Sequence, residues 1–225
     1  DPNTVFWIER RAAGGVRNMA RCVGHASHHT HVQATPIYVS QLFAGALFEQ
    51  YSSVVLTSAT LTVNAGGGSG FEHISKRLGL TLARELVVPS HFDYARQALL
   101  YLPPGMPDPR EAEFFVQAAE RTRRVLEITQ GRAFCLFTSY AQMRAMHERL
   151  SAELPYTLLL QGTAPRNVLL EEFRATPGAV LFGTSSFWQG VDVVGEQLSC
   201  VIIDRLPFAV PSDPVVKARM DAIEA

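Results

Sequence analysis

The 225 residues suffice for one large domain or one and a half smaller ones, and a composition of 47% apolar and 18% charged residues can bury a sizeable core. A net charge of −1 excludes a strongly basic nucleic-acid coat, so any contact with phosphates is local. Three scattered cysteines, Cys22, Cys135 and Cys200, exclude a disulfide framework, and no apolar run reaches the roughly 18 residues of a spanning helix. Those features predict a cytoplasmic protein with no membrane association. The N-terminal "DPNTVFWIERR" lacks the basic start and apolar core of a signal peptide and opens directly onto a strand-like "TVFWIE", as a cut into a longer protein would.

Residues 11–34 are polar and read as loop. "PIYVSQLFAGALFEQY" places Val39, Leu42, Phe43, Ala46 and Leu47 at helical spacing, with Pro36 and Ser40 suited to a helix start. "SVVLTSATL" is a dense β-branched run, which predicts a strand buried on both faces, and "NAGGGSG" is a flexible loop. "FEHISKRLGL" is a short helical pattern, and a strand is expected over 98–102. A helix over about 109–130 is expected to align Phe114, Phe115, Ala118, Val125 and Ile128. The rhythm is then regular: "RAFCLFTS" a strand, "YAQMRAMHERLSAE" a helix, "YTLLLQG" a strand, "PRNVLLEEFRAT" a helix with proline near its start, "AVLFGTS" and "LSCVIIDRLPF" strands, and "DPVVKARMDAIEA" a last helix. Strands alternating with helices predict an α/β fold, a parallel sheet with helices on both faces.

Ligands of such sheets gather at the carboxyl ends of the strands. The rule selects the loops after Leu56, Phe137, Leu160 and Phe182, which read "TSATL", "FTSYAQM", "LQG" and "FGTSSFWQGVD". Each puts Ser, Thr, Gln or Gly where the strand stops. Such residues let a phosphate approach backbone N–H groups and add donors of their own, although each loop alone is also an ordinary helix cap or turn. Ser139 precedes a helix, so a phosphate there would also meet a helix N-terminus. Together the loops suggest a surface that reads the backbone of a single-stranded nucleic acid. Gly190 permits a sharp turn, and Asp192 can accept from a ribose hydroxyl or an arginine, or cap its own turn. Phe187 and Trp188 can stack on bases or wedge the loop into the core. His147 and Glu148, adjacent on a helix, read as surface residues. Cys22, His25, His28, His29 and His31 have spacings a zinc ion could use, but solvent-facing histidines are the simpler reading and no metal site is predicted.

"VVLTSATL", "AFCLFTSYAQM", "LLLQG" and "VLFGTSSFWQGVDVVGEQLSCVIIDRLPFAVPSDP" resemble, in order and spacing, the C-terminal part of DinG-type helicases, bacterial relatives of the XPD-like group in superfamily 2. The resemblance runs from "VFWIE" to the final helix, and its long "FWQGVD…LPFAVPSDP" block is the specific part. It implies a RecA-like second motor domain over 98–225, truncated before motif VI, a connector over 67–97, and the tail of a first motor domain over 1–66. Ser58, Ala59 and Thr60 look like motif III, which couples the two motor domains. Thr138, Ser139 and Tyr140 look like motif IV on the nucleic-acid track, joined there by Gln161 and Gly162, and by Thr184 and Ser185 of motif V. Gly190 and Asp192 would lie at the nucleotide cleft. Gln189 stands where the family usually has glutamate, and "SHFDY" replaces "SPFDY".

No phosphate-gripping G-x-x-x-x-G-K-[ST] and no acidic D-E-x-H box occur in the sequence. The resemblance therefore implies a piece of an ATP-dependent DNA helicase that hydrolyses essentially no ATP alone. The intact protein is expected to use ATP and Mg2+, to carry any iron–sulfur cluster outside this segment, and to work on single-stranded or forked DNA with its own first motor domain. The alternative is a non-enzymatic nucleic-acid or protein-binding module that keeps the RecA-like fold.

Overall fold

The computed structural model describes residues 3–12, 28–63, 70–209 and 211–224. Contacts divide the chain into two units, one made of 1–92 with 209–225 and the other of 93–208.

In the first unit, β1 (Thr4–Ala12) and β2 (His28–Pro36) form an antiparallel ribbon with Trp7 opposite Gln33. β1 is the expected strand. β2 corrects the reading of 11–34 as loop: Thr30, Val32 and Ala34 alternate along one face and suit a pleat once β1 supplies the ladder. Gln33 Nε2 donates to Glu9 Oε2 at 2.6 Å across the ribbon, while Phe6, Ile8 and Val32 are exposed. α1 (Ser40–Phe43) runs into a π-helical turn at Ala44–Phe48, and α2 (Glu72–Leu78) closes on Gly79 in the left-handed region.

The buried strand expected over "SVVLTSATL" does not form. Residues 53–61 are irregular, and Val55 is 84% exposed. A parallel strand buried on both faces needs a hydrogen-bonding neighbour and a covering layer, and among the described residues this segment has no partner strand. The glycine loop that follows lies mostly outside the described residues.

The second unit begins with α3 (Tyr94–Gln97). The strand expected over 98–102 is also absent; its leucines face solvent, Leu99 at 92% exposure, and no ladder reaches them. α4 (Ala112–Thr129) buries Ala119, Thr122 and Leu126, with Phe115 and Ala118 packed beside them. Ile128, expected on that face, is exposed. It lies about 200° around the helix from Leu126, so a helix packed on the Leu126 face leaves it outside.

β3 (Ala133–Leu136), α5 (Tyr140–Ser151), β4 (Leu158–Leu160), α6 (Arg166–Ala175), β5 (Val180–Gly183) and β6 (Cys200–Ile203) complete the unit. The strands form a four-stranded sheet in the order β4-β5-β3-β6, and every pairing is parallel. Alternation along the strands builds two cores. Ala133, Cys135, Val180 and Phe182 face Met143, Met146 and Leu150 of α5 and Leu126 of α4. Phe134, Leu136, Leu159 and Leu181 face Leu169, Leu170 and Phe173 of α6. This is the α/β architecture expected of a RecA-like motor domain, with helices on both faces of a parallel sheet. Burial raises the Cys135 and Cys200 thiols above their ordinary range, which leaves both as packing groups rather than nucleophiles.

Gly131 joins α4 to β3 with φ 70°, and a Cβ there would fall on the carbonyl oxygen of Gly178, which lies just before β5. Only glycine fits where these two chain reversals touch. α7 (Pro214–Glu224) belongs to the first unit, where it packs on β1 and the Tyr38 hydroxyl donates to the Ala222 carbonyl at 3.4 Å. Among the described residues no helix is long and apolar enough to cross a membrane.

Candidate nucleic-acid interface

Because β3, β4, β5 and β6 are parallel, their carboxyl ends share one edge of the sheet. The ladder continues a residue past the strands: Gln161 N–H donates to the Phe182 carbonyl, Phe137 N–H to Gly183, and Asp204 N–H to Leu136. Thr138–Tyr140, Gln161–Gly162 and Thr184–Ser185 are thereby delivered side by side.

Hydrogen bonds tie the three loops together. Gln161 Oε1 accepts from the Thr184 N–H at 2.6 Å and from the Thr184 hydroxyl at 3.0 Å. Gln161 Nε2 donates to the Tyr140 hydroxyl at 2.9 Å. One amide thus spans the loops after β3 and β5, and its donor and acceptor ends are both used. Thr184 is buried at 3% exposure, Ser139 and Gln161 are half-buried, and Thr138, Tyr140, Gly162 and Ser185 are exposed. Ser139 stands at the N-cap position of α5 with extended backbone and makes no side-chain cap, so its hydroxyl is not committed to the helix. Gly162 has φ 99° and open space around its α-carbon.

The loop after β5 leads from this edge to Gly190 and Asp192. Gly183 ends β5 directly under Phe187: a Cβ at 183 would stand 2.9 Å from the ring. Phe187 is buried in the α6-side core, so it takes the wedging alternative, and the half-buried Trp188 points its indole N–H at the Phe137 carbonyl, 3.5 Å away. Gly190 adopts φ 65°, a left-handed turn that suits glycine. Asp192 is exposed, and its backbone carbonyl accepts from Arg174 at 2.7 Å.

Several residues to which the resemblance assigns no role hold these loops. Thr138 N–H donates to Asp204 Oδ1 at 3.2 Å, anchoring the loop after β3 to the end of β6. The Gln142 amide, with its nitrogen toward Asp204 Oδ2 (3.1 Å) and its oxygen toward Arg205 (2.9 Å), bridges that pair. Arg205 also donates to the Pro109 carbonyl at 2.8 Å and lies over the Phe114 ring. Arg166 and Arg174 of α6 hold loop carbonyls, and Gln197 Nε2 donates to the Phe173 carbonyl at 2.6 Å. Arg166 offered one legible hint: a cation in the first turn of a helix opposes the macrodipole, so its charge is wanted elsewhere.

Burial raises the Asp204 carboxyl above its ordinary 3.8, while the Arg205 and Thr138 N–H contacts pull it back in part. The folded state therefore binds this proton more readily than the unfolded chain, and stability tied to Asp204 declines as pH rises from about 3.8 through the raised folded value. Asp204→Asn removes that dependence. Melting temperatures of wild type and variant measured from pH 4 to 7 should diverge in favour of asparagine as pH rises; a constant gap would contradict the carboxyl's shift.

Two expectations lie elsewhere. Ser58, Ala59 and Thr60 sit in the first unit in an exposed turn, where Ser58 Oγ accepts from the Thr60 N–H at 3.1 Å and lies 3.2 Å from its hydroxyl. That closes a local hydroxyl turn, not the strand end expected. His147 is not a plain surface residue: it is half-buried, edge-on to Phe182 at 5.3 Å, with Nε2 3.3 Å from the Leu158 carbonyl. Of the zinc candidates, Cys22 and His25 lie outside the described residues, as does the His28 side chain. Among the described residues no three His, Cys, Asp or Glu side chains gather as metal ligands.

The helicase C-terminal domain family matches residues 122–225. An ATP-dependent DNA helicase, YoaA of Escherichia coli K12, is 42% identical over 87% of this chain, and an ATP-dependent helicase, DinG of Mycobacterium tuberculosis, is 35% identical over all of this chain. The chain belongs to the DinG-type helicases. A DinG of Bacillus subtilis named as a 3'-5' exonuclease is 31% identical over 98% of the chain. The match takes in 30% of the E. coli protein, 32% of the mycobacterial one and 23% of the B. subtilis one, so the chain spans a third or less of these relatives.

Proposed function

We propose that this chain is the motif III to motif V part of an ATP-dependent motor that translocates on single-stranded DNA, and that it is inactive alone. The observation carrying the reading is the Tyr140–Gln161–Thr184 bridge, which joins three strand-end loops on one sheet edge into a single surface.

Thr138, Ser139, Tyr140, Gly162 and Ser185 are the proposed DNA contacts. Their hydroxyls and backbone N–H groups suit phosphate oxygens, which position a strand without reading its sequence. Thr184 and Gln161 belong to the same interface, and their mutual bonds hold the donors in place. Gly190 and Asp192 form the proposed nucleotide side, with the Asp192 carboxylate accepting from a ribose hydroxyl or from an arginine of the facing domain. Ser58, Ala59 and Thr60 take the coupling role; their small side chains suit an interface that slides. The covering layer missing over 53–61 would come from the first motor domain. ATP and Mg2+ belong to the reading through that domain.

Opening a base-pair step costs about 1.4 kcal/mol in stacking, a modest load for a nucleotide-driven step. The test uses a protein carrying this chain with the regions its relatives have beyond it. ATPase activity should be stimulated by single-stranded DNA, and Asp192→Ala should weaken it by at least about tenfold, the loss of one charge-assisted hydrogen bond. DNA binding without hydrolysis would favour the non-enzymatic module.

A further inference from the structure

The segment from Ser185 to Asp192 begins at the proposed DNA contacts and ends at the proposed nucleotide side, and one side chain grips it along its length. Arg166 Nε donates to the Ser186 carbonyl at 3.0 Å, and one terminal nitrogen of its guanidinium donates to Gln189 at 3.1 Å and to Gly190 at 2.8 Å. The guanidinium also lies over the Phe187 ring, 5.7 Å from its centroid, and that ring is fixed in the core.

Arg166 opens α6 immediately after Pro165, where a positive charge is disfavoured by the helix dipole. Its side chain leaves the helix end for carbonyls that carry partial negative charge. In a trans peptide the N–H lies opposite the C=O. Turning the Gln189 and Gly190 carbonyls toward Arg166 therefore turns the Gly190 and Val191 N–H groups away from it. The same planar group sets the conformation at Ser186, beside the DNA contacts, and at Gly190, beside Asp192. A lysine ammonium, a single point at the end of a flexible stem, cannot reproduce that fork.

We propose that Arg166 is a positioning residue that makes the Ser185–Asp192 segment one rigid lever, through which nucleotide occupancy alters the grip on DNA. The proposal rests on the motor reading above. Coupling between sites of this kind typically changes affinity by about 5- to 150-fold, and it is reciprocal.

The test measures single-stranded oligonucleotide affinity by fluorescence anisotropy in the full-length protein, with and without a non-hydrolysable ATP analogue. Wild type, Arg166→Ala and Arg166→Lys are compared, with thermal melts as a folding check. The factor by which the analogue changes DNA affinity should fall toward one in both variants. Nucleotide-free DNA affinity should stay within about threefold of wild type, because the segment is held rather than the strand contacted. A factor that survives both substitutions, or that lysine restores, overturns the role of Arg166. A loss of affinity with the factor intact also overturns it, since that marks a direct phosphate contact. A factor of one in the wild type instead overturns the motor reading itself.

Discussion

Phe173→Ala should lower the stability of the chain by about 3–5 kcal/mol, the range for emptying a buried aromatic site. Phe173 is fully buried on α6, its ring edge-on to Phe134 of the central strand at 4.8 Å. It is the largest fully buried side chain in the core between α6 and the sheet, with Leu169 and Leu181 in the same cluster. Its carbonyl also accepts from Gln197, so collapse of α6 into the cavity would disturb the turn before β6. Native domains are stable by about 5–15 kcal/mol in total, so this single change removes a large part of the margin. Urea unfolding followed by far-UV circular dichroism should show a lower midpoint with an unchanged slope. A shift below about 1 kcal/mol would mean that α6 is not packed as described.

Gln161→Ala should cost about 1–3 kcal/mol, because it strips the acceptor from a buried N–H and a buried hydroxyl at once. Both belong to Thr184, and both point at Gln161 Oε1. Thr184→Val removes one of those donors, so the two substitutions together should cost less than their sum. The difference should be about 0.5–3 kcal/mol in a double-mutant cycle. Gln161→Glu separates structure from binding. It keeps an acceptor for Thr184 and can accept from the Tyr140 hydroxyl, so stability should change little. It also places a negative charge on the proposed DNA track, so single-stranded DNA affinity in the full-length protein should fall, most steeply at low salt. Additive costs would show that the amide does not bridge these loops, and unchanged DNA affinity for the glutamate variant would remove Gln161 from the interface.

Much of the second unit was legible because its strands are short, dense apolar runs separated by amphipathic helices, a pattern that suits a covered parallel sheet. The same rhythm located the strand-end loops after Phe137, Leu160 and Phe182, since parallel strands must present their carboxyl ends together. The first unit and the opening of the second were less legible. "SVVLTSATL" and 98–102 have strand-like composition, but a strand is a relation between segments, and neither finds a ladder among the described residues. β2 shows the converse: a polar, histidine-rich stretch became a strand because β1 offered one.

The residues of this chain, taken by themselves, determined the alternation that builds the sheet, the faces of most helices, and the hydroxyl- and glycine-tipped loops that mark a DinG-type chain. Local propensity and periodicity suffice for those, because they depend on neighbours a few positions apart. Tertiary structure alone decided that Gln161 spends both ends of its amide on Tyr140 and Thr184, that Arg166 turns from its own helix to three carbonyls of the next loop, and that Asp204 anchors Thr138. These partners lie 20 to 66 positions apart in sequence. No pattern within the chain specifies them, because a polar side chain takes whichever unpaired backbone or side-chain group the packed layers leave within reach.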